Sequence, residues 1–182
     1  MAAKPVGRSP QSSAAINVVL PELDAGSVDD LVSEVTVDAL EFRGLDLNGL
    51  VAARTSLIEC AVVECELNAA SLRGARFTDC VLDRVHATAV DVADSRWRNV
   101  LASDCRIDEL DLAGAQASGI SFVGCEIGRL EIGNANLDAV DISGAAVGAV
   151  VGIGNAAGLV ISRSQLDDLA VVFAAELGVS VV

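Results

Sequence analysis

From Phe42 to Val147 every fifth residue is apolar, twenty-two positions in succession. The series opens Phe42, Leu47, Ala52, Leu57 and closes Ile132, Leu137, Ile142, Val147. A helix repeats about every 3.6 residues and a strand about every 2, so neither alone produces this beat. A fixed period held this long predicts stacked repeats wound into a solenoid. Two residues ahead of each beat runs a second restricted column, from Leu40, Leu45 and Leu50 to Ala135, Val140 and Ala145. It carries no charge, its members are mostly small, and it holds all five cysteines of the chain. Every charged residue between positions 40 and 149 falls in the other three columns. One column is therefore a large interior position, one a small interior position, and three face water.

The units Ala70-Ser71-Leu72-Arg73-Gly74, Ala135-Asn136-Leu137-Asp138-Ala139, Leu110-Asp111-Leu112-Ala113-Gly114 and Leu45-Asp46-Leu47-Asn48-Gly49 give the chain its resemblance to the pentapeptide-repeat family. That family's motif is A-(D/N)-L-x-x. The resemblance covers residues 40–149. It implies an all-β fold, a right-handed quadrilateral β-helix with four pentapeptides to a coil. Residues i and i+20 would then stack, and the regular run would make five to six coils at ~4.8 Å each. The domain organisation expected is a disordered leader over 1–15, a β-helix with an N-terminal covering segment over 16–166, and a C-terminal helix and tail cap over 167–182.

Winding the chain four units to a coil sorts its outward residues onto faces. One face stacks Asp91, Asp111 and Glu131 with Asp94 beside them. Its neighbour holds Asp46, Glu66, Asp108, Glu109 and Glu126, relieved by Arg106 and Arg129. Like charges at ladder spacing cost stability, so this is a candidate acidic partner face, with a solubilising surface as the plainer reading. A further face stacks Ala61, Val81 and Leu101 outward with Val63 nearby, a candidate apolar partner stripe. Arg76, Arg96 and Arg98 flank Trp97 elsewhere, where they read as spacers between acids or as a nucleic-acid patch. Trp97 itself is a large ring in a slot that usually holds Leu or Phe, and is expected to bulge its coil.

The ends need covers, because an open coil leaves backbone unpaired and core bare. Val35 and Val37 already keep both interior phases, so the first coil is expected to start before Phe42, with Ile16–Leu20 as a covering strand. After Val150 the beat slips through Val151-Gly152-Ile153-Gly154-Asn155 and resumes one residue early at Ile161 and Leu166. From Gln165 the period becomes helical, placing Leu166, Leu169, Val172, Phe173 and Leu177 on one face. Asp167 and Asp168 are read in the first turn, where they suit the helix dipole, and Gly178 as the stop. This end resembles that of mycobacterial pentapeptide-repeat proteins of the fluoroquinolone-resistance type, where it also builds a dimer. A lid alone, and a lid that is also a homodimer contact, both remain open; the candidate residues are Leu169, Val172, Phe173 and Leu177.

Composition narrows function. Aromatics make up 3% of the chain and tyrosine is absent, which suits a narrow aliphatic interior. The net charge of −14 argues against binding nucleic acid or an anionic membrane and favours a basic partner. Five cysteines, an odd number in an interior column, read as buried free thiols. With His86 the only histidine and no C-x-x-C pair, neither a zinc site nor any other cofactor is expected. No apolar run is long enough to span a membrane and no secretory core is seen, so the expected location is cytoplasmic. No nucleophile–base pair falls together on the coil map, and enzyme activity is not expected. A protein-binding scaffold with an unidentified partner is the leading reading. The resemblance implies an alternative, a DNA mimic that binds type II topoisomerase (DNA gyrase) and modulates fluoroquinolone sensitivity.

Overall fold

A computed structural model describes residues 16–176 and 178–180. The chain winds as a β-solenoid of about seven turns, its strands forming one thirteen-stranded sheet. Every pairing is parallel and the register is almost everywhere twenty residues. Phe42 pairs with Val62, Leu57 with Phe77, Phe77 with Trp97, Ala117 with Leu137, and Ile107 with Ile127. The regular run accounts for fewer coils than seven because both ends continue the winding beyond it. Asp24–Ala25 pairs with Leu40–Glu41, and Leu159–Val160 pairs with Val140–Asp141. The last pairing is nineteen residues apart, which is the one-residue slip heard in the beat.

Why the period is five becomes visible in the backbone. Thirteen non-glycine residues have positive φ, among them Arg54, Asp79, Asp94, Asn99 and Ala139. Each sits two places after a beat position, as do Gly44, Gly49, Gly74, Gly114, Gly119 and Gly124. A left-handed residue there turns the strand through a corner, so each five-residue unit makes one side of a four-sided coil. The corner is absent at Gly144 and, on one side of the coil, at Ala89, Glu109, Arg129 and Ala149. On that side the chain runs on extended through His86–Asp91, Arg106–Asp111 and the second half of Gln116–Glu131.

Both predicted interior columns point inward. Phe42, Leu112, Ile127, Ile132 and Ile142 are fully buried from the large column, and Cys60, Val100, Ile120 and Leu130 from the small one. The small column also has a polar task. The Cys60, Cys65, Cys80, Cys105 and Cys125 thiols each donate to carbonyls two and twenty-three residues earlier, Cys65 for example to Val63 at 3.4 Å and Phe42 at 3.2 Å. Thr55 Oγ1 does the same to the Val32 carbonyl at 2.5 Å. A short side chain with one donor can use these carbonyls, which accounts for the Cys and Thr members of a column that also holds Leu, Val and Ile. All five thiols are free and buried.

Trp97 does not bulge its coil. It stays in register with Phe77 and Ala117, because Ala117 leaves room on one side and the Phe77 ring stacks on the other at 4.2 Å. Its Nε1 donates to the buried Ser95 hydroxyl at 2.7 Å. The irregularity in the ladder lies instead between Ser121 and Glu126.

The N-terminal cover differs from the expected one. Ile16–Leu20 forms no strand; Ile16 lies on the flank, its Cδ1 3.8 Å from where a Cβ on Gly119 would sit. The end is closed by Gly26, which lies against the Phe42 ring, and by Leu31, which is buried. A short 3₁₀ turn, Val28–Asp30, carries the chain across, held by the Ser27 N–H donating to Asp30 Oδ2 at 2.8 Å. At the other end helix α1 spans Arg163–Glu176, starting two residues before its apolar period. Ser162 is its N-cap: Gln165 N–H donates to Ser162 Oγ at 3.2 Å and Ser162 N–H to Gln165 Oε1 at 2.7 Å, a capping box. Asp167 and Asp168 therefore fall in the second turn, where the dipole is weaker.

Candidate functional site

The outward columns are the surface available for function, and the coil register brings the predicted acids together. Asp91 pairs with Asp111 and Asp111 with Glu131. The structure adds a role that sequence reasoning missed. Asp91 Oδ1 accepts the Ala93 N–H at 3.0 Å, Asp111 Oδ1 the Ala113 N–H at 2.8 Å, and Glu131 Oε1 the Gly133 N–H at 3.0 Å. Asp46 and Asp141 make the same i→i+2 bond to Asn48 and Ser143. At Asp46, Asp91, Asp111 and Glu131 this ties the backbone that leads into the corner, whereas after Asp141 the chain runs on extended. The signal was present: each of those four stands one place before a beat residue, with a turn residue three places on.

Basic residues offset part of the charge. Arg73 reaches Asp94 at 2.6 Å and Asp91 at 3.8 Å. Arg129 lies 3.4 Å from Glu109 and 3.3 Å from Glu131, and Arg106 lies 3.3 Å from Glu126. Exposed pairs of this kind contribute little to stability, but they lower the net field of the face. Asp108 lies on the same face beside Ile107. His86 is exposed, its Nδ1 3.4 Å from Glu66.

The apolar stripe is assembled but largely covered. Ala61, Val81 and Leu101 stack in consecutive coils, yet Ala61 and Val63 are each only 5% exposed and Val81 and Leu101 are half-buried. Val123, 49% exposed, is the apolar side chain of this face that is open to solvent. At the C-terminal end the predicted helical face divides. Leu169 and Phe173 pack on the core as the lid. Leu166 and Val172 face outward, together with Val171, at 46%, 39% and 63% exposure. Leu177 lies outside the described residues.

The arginines around Trp97 do not space acids as expected. Arg98 approaches Asp79 at 3.9 Å, whereas Arg76 and Arg96 have no carboxylate partner among the described residues. Inside the rod, a cavity of about 60 Å³ runs between Leu47, Leu72, Phe77, Trp97, Ile107 and Phe122, an apolar lining that keeps it dry. Burial pushes the Cys80 thiol up to about 12. The Cys105 thiol is also raised, by the neighbouring Cys125 thiol and then by burial.

A parallel solenoid with twenty-residue coils built from five-residue, corner-turned units defines a pentapeptide-repeat β-helix. The chain matches no model of a known protein family and no curated protein. Among solved structures it is similar to a trypsin-treated variant of QnrB1, a plasmid-mediated fluoroquinolone resistance protein. Identity is 12%, with 84% of this chain and 93% of that chain covered and a TM-score of 0.27. It is also similar to HetL, a pentapeptide repeat protein involved in heterocyst differentiation regulation from the cyanobacterium Nostoc. There the identity is 14%, 71% of this chain and 86% of that chain are covered, and the TM-score is 0.15. At such scores the fold assignment rests on the coil register and not on these likenesses.

Proposed function

We propose that the chain is a non-enzymatic protein-binding scaffold, a rod whose outward columns engage a protein partner. The observation that supports this is the register itself. Twenty-residue pairing lines up outward side chains of successive coils at fixed ladder spacing, giving flat, preorganised faces with a closed interior. Arg73, Arg106 and Arg129 offset part of the acidic charge, and single exposed groups such as Val123 add apolar contacts to it.

A second reading is DNA mimicry towards gyrase, and the unbroken stack of Asp91, Asp111 and Glu131 favours it. Gyrase supercoiling with purified protein titrated in, with and without a fluoroquinolone, separates the two. The matched control is Asp91→Asn with Asp111→Asn and Glu131→Gln, because an amide removes the charge and keeps the oxygen that accepts the turn N–H. Inhibition or drug protection that this control abolishes establishes the mimic. No effect at concentrations well above the enzyme rejects it for gyrase. The scaffold reading then requires a partner whose binding is lost with Val123→Asp and retained in the neutralised control.

A further inference from the structure

Arg76 and Arg96 are Cα partners in adjacent coils, so two guanidinium groups project from one face at ladder spacing of ~4.8 Å. Arg98 stands two residues along the same strand and points to the same side. Like charges directly opposite each other destabilise a ladder. Elsewhere the molecule answers its coil arginines with acids: Arg73 has Asp94 at 2.6 Å, Arg84 has Glu64 at 2.8 Å, and Arg106 has Glu126 at 3.3 Å. Arg43 and Arg54 pair with Glu41 and Glu34. Among the described residues Arg76 and Arg96 are left unanswered, and the column they occupy carries no acid over the coils on either side. It runs Ser56, Arg76, Arg96, Gln116, Asn136.

These groups line a groove of about 450 Å³, within the size range of small-molecule sites, on the order of 300–1,000 Å³. Thr78, Gln116, Ser118 and Asn136 add neutral donors along it, and one carboxylate, Asp138, stands at its edge. Two uncompensated guanidinium groups call for two negative charges on one ligand. A single carboxylate carries one; a phosphate monoester dianion carries close to two and matches the forked donors of arginine. The groove exceeds the volume of a free phosphate, so space remains beside Gln116, Ser118 and Asn136 for the polar body of an ester.

We infer that the groove over Arg76, Arg96 and Arg98 binds a small phosphate monoester. Trp97 and Phe77 lie beneath it, their stacked rings turned into the rod. Trp97 is the only tryptophan, and the chain has no tyrosine, so intrinsic emission reports this face without labelling. The full chain is titrated with glycerol phosphate, with inorganic phosphate, and with chloride at matched ionic strength, reading Trp97 emission and melting temperature. Saturable binding of the ester, tighter than inorganic phosphate and absent with chloride, is the expected result. Arg76→Gln with Arg96→Gln weakens it by about tenfold or more. That double variant is also expected to melt at least as high as the unchanged protein without ligand, since a repulsive pair is removed; this melt verifies that it folds. A response that chloride reproduces, or that survives the double substitution in a folded protein, overturns the site. Equal affinity for inorganic phosphate and the ester overturns the assignment to an ester.

Discussion

The thiol of Cys80 shows how much one interior slot determines. A side chain there must be small enough for the narrow bore and must direct any donor at the carbonyl of the preceding coil, as Cys80 does to Leu57 at 3.4 Å. Burial then holds the proton on sulfur, raising the Cys80 thiol from 9.0 to about 12, and the thiols of Cys60 and Cys65 are raised for the same reason. The linkage follows from the sign of the shift. Unfolded thiols lose protons above about pH 9 while folded ones retain them, so this stabilisation is complete below pH 9 and falls as pH rises towards 12. With no tyrosine and Lys4 the one lysine, few other side chains titrate in that window. We expect the urea midpoint to drop between pH 9 and pH 11, to drop less in Cys80→Ala, and to drop least when Cys60, Cys65 and Cys80 are all replaced by alanine. A thiol reagent at pH 7 should leave the native cysteines unmodified and label all five on denaturation. An unchanged midpoint across that window would contradict the burial argument.

At the scale of elements, the terminal helix packs through Leu169 and Phe173 and is tied to the last coil by one polar side chain. Gln165 completes the capping box with Ser162, and its Nε2 donates to the carbonyls of Ile142 at 2.7 Å and Ala145 at 2.9 Å. The last coil has no following strand to satisfy those carbonyls, so Gln165 stands in for the missing ladder. Gln165→Ala removes the side-chain half of the capping box and leaves two carbonyls in need of partners, a loss of about 2 kcal/mol. Thermal melting should show it, and hydrogen exchange should localise it to Ile142–Ala145 and α1. The sharper comparison is Gln165→Glu, which keeps the acceptor for Ser162 but loses both donors, so its effect on exchange at Ile142–Ala145 should match that of alanine. The composition of this segment announced a helix, yet the start was misplaced, because the cap is a pairing of Ser162 with Gln165 whereas the apolar period begins only at Leu166.

For the whole molecule, the two ends are chemically unlike. The N-terminal end is closed by Gly26 and Leu31, whereas the C-terminal helix presents Leu166, Val171 and Val172 outward beside Val179. We propose that a second copy covers this apolar end, the arrangement in which a symmetric interface buries the same patch twice. Sedimentation velocity should give a dimer that Leu166→Asp with Val171→Asp converts to a monomer without lowering the melting temperature of the coils. A monomer at tens of micromolar unchanged protein would remove the proposal and leave α1 as a lid through Leu169 and Phe173 alone.

The five-residue beat by itself determined the solenoid, its two interior columns and the buried state of the cysteines, because inward and outward positions are set by local periodicity. The corners were equally legible in Gly, Asn and Asp two places after the beat, and went unread because that column tolerates Arg, Glu and Ala as well. Only the tertiary structure decided what each outward residue does. Asp91, Asp111 and Glu131 turn out to bind turn N–H groups, Ala61 and Val63 to be covered, and Arg76 and Arg96 to face each other without an acid. Those outcomes depend on side chains twenty residues apart in the chain and one coil apart in space, and on the flanking terminal segment. A repeating local pattern carries no information about which partners such contacts will find.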